Sequence, residues 1–183
     1  MSRLSEIFRN KGKCFLPFVT AGHPNLETTL AILLQLADCG ADIIELGIPF
    51  SDPIADGPVI QRSSFQALKK GYSMDDILDT VGQFRRQRET GIILMTYLNP
   101  IFQYGLGKLE ERALQLGLDG ILISDLTPEE YNRLHPFRNL DTVFLAAPTS
   151  SDERLQAIFV GACTMCSGRP RCDNLLVPPW CTD

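Results

Sequence analysis

The chain has 183 residues, of which 44% are hydrophobic and 21% charged, with a net charge of −5. That suffices for one domain, since a chain of this size buries roughly 70% of its unfolded surface on folding. The same numbers argue against wholesale disorder, and the acidic balance without an aromatic-interleaved Lys/Arg cluster argues against nucleic acid as a partner.

No apolar run reaches the roughly 18 residues of a membrane span. The start, Met1 to Phe8, has no apolar stretch behind its charges, so it reads as neither a secretory signal nor a transit peptide. The expected location is therefore cytoplasmic.

In chain order, Cys14 to Thr20 reads as a buried strand, broken by Ala21-Gly22-His23-Pro24. Asn25 is a candidate N-cap for a helix with Leu26, Leu30, Leu33, Leu34 and Ala37 on one stripe, and Gly40 stands at its left-handed end. Asp42 to Gly47 is a second strand. A loop rich in Pro, Ser, Asp and Gly runs from Ile48 to Pro58, followed by helices over Ile60 to Lys70 and Met74 to Glu89. Ile92 to Tyr97 is the third strand, Leu106 to Leu116 a helix stopped by Gly117, and Asp119 to Ser124 the fourth strand. Pro128 to Leu134 is a short helix, Thr142 to Ala147 a fifth strand, and Asp152 to Ile158 opens another helix.

The strands are near-continuous apolar runs and alternate with helices, which indicates an α/β architecture with a covered parallel sheet. A doubly wound sheet and a barrel both fit. No GxGxxG or Walker loop is present, so a nucleotide fold gains no motif support.

From Phe159 the pattern changes. The segment to Asp183 lacks helical period and strand alternation and holds four of the six cysteines, Cys163, Cys166, Cys172 and Cys181. Their spacing is too loose for a zinc knuckle, and a foreign or unstructured tail is the stronger reading. Residues 1–158 are accordingly expected to form the domain and 159–183 an unmatched tail. Cys14 and Cys39 lie in apolar segments and read as buried free thiols.

Candidate chemistry sits in the run Glu45 to Pro58. Strand alternation places Ile43, Glu45 and Gly47 on one face and the apolar set Ile44, Leu46 and Ile48 on the other. Glu45 then points away from the helices, where burial raises a carboxyl pKa and lets it exchange a proton near neutrality. Asp56 follows on the loop after the strand. A buried and a loop carboxyl can differ in pKa and so supply an acid and a base. Asp, Pro, Gly and Ser are also ordinary turn formers, which is the competing reading of the loop acids. His23 and His135, the only histidines, read as loop or surface residues.

The chain resembles the tryptophan synthase alpha chain family. The resemblance rests on Pro17-Phe18-Val19-Thr20-Ala21-Gly22, on Glu45 through Pro58 with Ile60-Gln61, and on Thr96-Tyr97-Leu98-Asn99-Pro100-Ile101 with Tyr104-Gly105. It continues through Asp119-Gly120, Ser124-Asp125-Leu126 and Ala147 to Leu155. It implies a (β/α)8 barrel, here incomplete at five to six βα units. It also implies retro-aldol cleavage of indole-3-glycerol phosphate to indole and glyceraldehyde 3-phosphate in tryptophan biosynthesis. By the same resemblance Glu45 handles protons at indole C3 and the glycerol hydroxyl, and Asp56 hydrogen-bonds the indole N–H. Phe18, Tyr97 and Leu98 would line the substrate pocket, with ordinary core packing as the alternative. Asp52 and Asp125 would serve communication with a beta subunit, Asp125 having a second reading as N-cap of the helix near Pro128. No metal or cofactor is implied, pyridoxal phosphate belonging to the beta partner.

A barrel of this kind needs roughly 250 residues and grips phosphate after strands seven and eight. The resemblance ends near residue 158, which implies slow turnover for this chain and leaves a second reading, an inactive fragment retaining at most a beta-contact surface.

Overall fold

The computed structural model describes residues 2–11, 13–147, 149–163 and 175–176. Its elements are α1 (Arg3–Asn10), β1 (Phe18–Thr20), α2 (Leu26–Asp38), β2 (Ile43–Gly47), α3 (Pro58–Leu68), α4 (Met74–Arg85) and β3 (Gly91–Thr96). They continue with α5 (Leu98–Tyr104), α6 (Leu106–Leu116), β4 (Gly120–Ile123), α7 (Pro128–Leu134), β5 (Asp141–Leu145), α8 (Asp152–Cys163) and β6 (Leu175–Leu176).

The strands form one parallel sheet in the order β1-β2-β3-β4-β5-β6. Strand order never reverses, so there is no switch point of the kind a doubly wound sheet carries. The two faces differ accordingly. Ile44, Leu46, Ile92, Leu94, Ile121, Ile123 and Phe144 join the large cluster that packs on the helices. Ile43, Ile93, Leu122 and Val143 converge on the other face with Leu4 of α1. Apolar side chains from four strands meeting across a concave face are the filling of a barrel interior, and α1 plugs its lower end. The architecture is an incomplete barrel.

Local chemistry explains where the elements begin and end. Asn25 caps α2 by accepting the Thr28 amide at 2.7 Å, as its sequence position suggests. Ser73 with Asp76, and Thr127 with Glu130, close capping boxes on α4 and α7. Pro58 opens α3 at the first turn, where a missing N–H costs nothing. β1 is shorter than the apolar run Cys14–Thr20. Pro17 has no N–H to give, although the Phe15 and Pro17 carbonyls still accept the Asp42 and Glu45 amides at 3.0 and 2.9 Å.

Three features depart from the sequence reading. Helix α1 rests on the Ser2 side chain accepting the Ser5 amide at 3.3 Å. Helix α5 is not among the expected elements; its Pro100 falls in the first turn, whose amides have no helical acceptor. Helix α8 runs unbroken from Asp152 to Cys163, across the compositional break at Phe159, and Leu175–Leu176 pair in parallel with Phe144–Leu145. Cys166, Cys172 and Cys181 lie outside the described residues. Cys39 is exposed and Cys14 half-buried, which corrects the reading of both as buried thiols; Cys39 caps the open end of α2 and so faces solvent. Among the described residues no helix is long and apolar enough to cross a membrane.

Asp119 locks the lower face. It accepts Arg3 at 2.5 Å, Arg85 at 2.6 Å and the Ile92 amide at 2.8 Å, while Arg85 also donates to the Gly117, Arg88 and Thr90 carbonyls at 3.0, 3.1 and 3.0 Å. These bonds tie α1 and α4 to the first residues of β3 and β4. Gly120 opens β4 at the same level. A Cβ there would lie 2.9 Å from both the Asp141 carbonyl oxygen and Leu4 Cδ1. Gly120→Ala should therefore cost about 1–3 kcal/mol by overpacking, read as a lower urea midpoint at unchanged slope.

Candidate active site

Parallel sheets of this build place chemistry at the C-terminal ends of their strands. There Phe18, Gly47, Ile48, Asp56, Ile60, Ser64, Met95, Thr96, Tyr97 and Ser124 line a narrow cleft of about 10 Å³. That is room for about one water. Phe18 keeps it small: its ring lies so close over Gly47 that a Cβ there would be 2.4 Å from Phe18 Cζ. The absence of a side chain at Gly47 is what lets the ring lie there.

Glu45 sits two residues below Gly47 on the same strand face, aligned with Phe18 on β1 and Ile93 on β3. It is half-buried and makes no hydrogen bond or ion pair among the described residues. Burial alone pushes its carboxyl above the ordinary glutamate range. A carboxyl so placed keeps its proton to higher pH and can both give and take one.

Asp56 is half-buried at the rim. Its loop is fastened from two sides. The Gln61 side-chain amide donates to the Asp56 carbonyl at 2.7 Å, and the Tyr97 hydroxyl accepts the Ala55 amide at 3.0 Å. The Tyr97 ring packs on Phe50 with centroids 5.2 Å apart, so both ends of the loop meet one tyrosine. Burial raises the Tyr97 hydroxyl pKa most; the Ala55 amide pulls it back and the neighbouring Asp56 charge raises it again. Tyr97→Phe should cost about 1 kcal/mol and speed hydrogen exchange of the Ala55 amide about fivefold, without moving exchange in β3.

Phe18, Tyr97 and Asp56 thus share the cleft, with Glu45 beneath it. Leu98 does not join them. It packs on the layer between sheet and helices, and its amide donates to the Asp125 carboxylate at 2.7 Å. That bond also corrects the N-cap reading of Asp125. Thr127 caps α7, two residues later, and Asp125 instead serves the first turn of α5. Asp52 is exposed and bonds only Ser51, and both histidines are exposed. Sequence reading missed Ser124, whose position two residues past Leu122 puts it on the inner face by simple alternation. Among the described residues no cluster of three or more His, Cys, Asp or Glu is placed to hold a metal.

Residues 4–164 match the family model described as tryptophan synthase alpha chain. The chain is similar to the tryptophan synthase alpha chains of Marinobacter nauticus, 47% identical over 166 residues, and Geotalea daltonii, 44% identical over 165 residues. Each alignment covers 86% of this chain and 62% of the relative, so the chain spans about three fifths of those proteins' length. Among solved structures, tryptophan synthase subunit alpha from Legionella pneumophila superposes with a TM-score of 0.83 at 42% identity, covering 88% of this chain and 65% of that one. The alpha-type fold within the Pyrococcus furiosus tryptophan synthase complex gives 0.76 at 45% identity, covering 81% and 62%.

Proposed function

This chain belongs to the tryptophan synthase alpha chain family, and on that premise we propose that it is a carbon–carbon lyase cleaving indole-3-glycerol phosphate to indole and glyceraldehyde 3-phosphate. The observation that carries the reading is the pairing of a half-buried Glu45, without a partner among the described residues, inside the sheet with Asp56 at the rim above it.

The chemistry matches those two environments. Protonated Glu45 gives its proton to indole C3, and the ring becomes a cation with the charge toward its nitrogen. Asp56, accepting the ring N–H, stabilises that charge. The Glu45 carboxylate then takes the proton of the adjacent side-chain hydroxyl. The bond from C3 to the hydroxyl-bearing carbon breaks, its electrons neutralise the ring, and that carbon becomes the aldehyde. Protons balance on one carboxyl, so the step calls for no metal or organic cofactor; pyridoxal phosphate serves the beta partner.

A cytoplasmic tryptophan synthase beta subunit is the proposed partner. Ile54 and Val59, 81% and 68% exposed, and Phe102, 48% exposed, present apolar surface on the elements that follow β2 and β3, at the end where the cleft opens. A solved structure to which the chain is similar is that of the tryptophan synthase a2b2 complex from Pyrococcus furiosus. The test is a single-turnover assay with enzyme in excess, with and without a beta subunit. Indole and glyceraldehyde 3-phosphate should form in equal amounts, faster with the beta subunit. Absence of both products refutes the lyase reading.

A further inference from the structure

Ser124 stands apart from the polar groups around it. It follows β4 on the inner face, and its amide donates to the Thr96 carbonyl at 2.8 Å, which fixes the backbone. Its hydroxyl oxygen is fully enclosed and bonds nothing among the described residues. Two polar groups lining the same cleft are engaged: the Thr96 hydroxyl donates to the Tyr97 carbonyl at 3.3 Å, and the Tyr97 hydroxyl accepts the Ala55 amide. An enclosed hydroxyl without a partner is costly until a water or a ligand completes it, and a ligand that fills the cleft displaces the one water it has room for.

We propose that Ser124 is a substrate-binding residue whose hydroxyl hydrogen-bonds the hydroxylated side chain of the ligand, not its aromatic ring. The proposal rests on the lyase reading and adds a specificity determinant to it. Ring and side chain divide the cleft by chemistry. Phe18, Ile60 and Met95 supply apolar wall for a ring, and Asp56 supplies the acceptor its single N–H needs. Apart from its phosphate, what remains of such a substrate to satisfy is its side-chain hydroxyls, which both donate and accept. A serine hydroxyl does the same, whereas a carboxylate only accepts.

Two ligands separate the possibilities: indole-3-glycerol phosphate, and indole-3-propanol phosphate, which has the same ring and phosphate without the two interior hydroxyls. Binding is measured by calorimetry in the Glu45→Gln background, where the substrate stays uncleaved. Ser124→Ala should weaken indole-3-glycerol phosphate by about 3- to 10-fold and indole-3-propanol phosphate by less than about twofold. Ser124→Thr, which keeps a hydroxyl, should restore most of the loss. Equal weakening of both ligands, or of neither, overturns the assignment and leaves the lyase reading intact. Failure of either ligand to bind when Ser124 is present overturns both.

Discussion

Glu45→Gln is expected to lower single-turnover release of indole by about 10²- to 10⁴-fold, the range for loss of a positioned acid–base group, while ligand affinity changes little. Glutamine fills the same space on the inner face but neither gives nor takes a proton. The substitution should also stabilise the fold at neutral pH. Burial raises the Glu45 pKa in the folded state. A group raised in this way contributes its stability below its unfolded pKa and loses it as pH rises through the folded value. Above the folded-state value the parent chain thus bears the cost of a half-buried charge, and glutamine does not. The melting-temperature gain of Glu45→Gln should be largest at neutral pH and shrink toward zero below the ordinary glutamate range. A variant that is inactive and less stable at pH 7 would mean that glutamine disrupts the site and would remove the acid–base explanation.

Asp119→Ala is expected to cost about 3–5 kcal/mol, the largest stability loss of any substitution considered. The Asp119 side chain is 7% exposed and Arg85 12%, so its removal strands a buried guanidinium and frees the Ile92 amide. Arg85 keeps its three carbonyl acceptors, which hold it in place without its counter-charge. Denaturant unfolding reads the effect. Replacing Glu89, 82% exposed and paired only at the rim of the same network, should cost well under about 1 kcal/mol. Similar losses for the two would show that the network acts as surface charge and does not lock the lower face.

The contrast between the two ends of the sheet reflects what was legible in the sequence. Alternation along β2 placed Glu45 away from the helices, and the cap at Asn25 and the stops at Gly40 and Gly117 marked helix ends, because these depend on nearest neighbours. Features set by distant residues were not legible. Helix α5 has no sequence signal of its own until Asp125, in the turn after β4, is seen holding its first turn. Leu98 stands beside Tyr97 in the chain, yet one residue of rotation sends it to the helix layer. Ser124 stands in a matched segment but nothing local gives it a binding role; only the closure of the cleft around its hydroxyl distinguishes it from any serine at a strand end. The break at Phe159 is compositional, and helix α8 passes through it because four residues of helical register follow Phe159 regardless of the cysteine at the end.

The central claim is that Glu45 moves the protons of a lyase reaction. Its most direct measurement is single-turnover conversion of indole-3-glycerol phosphate at neutral pH, excess chain over substrate, comparing the parent with Glu45→Gln. Indole and glyceraldehyde 3-phosphate are expected in equal amounts from the parent and neither above background from the variant. Equal yields from the two, or no product from the parent, would contradict it.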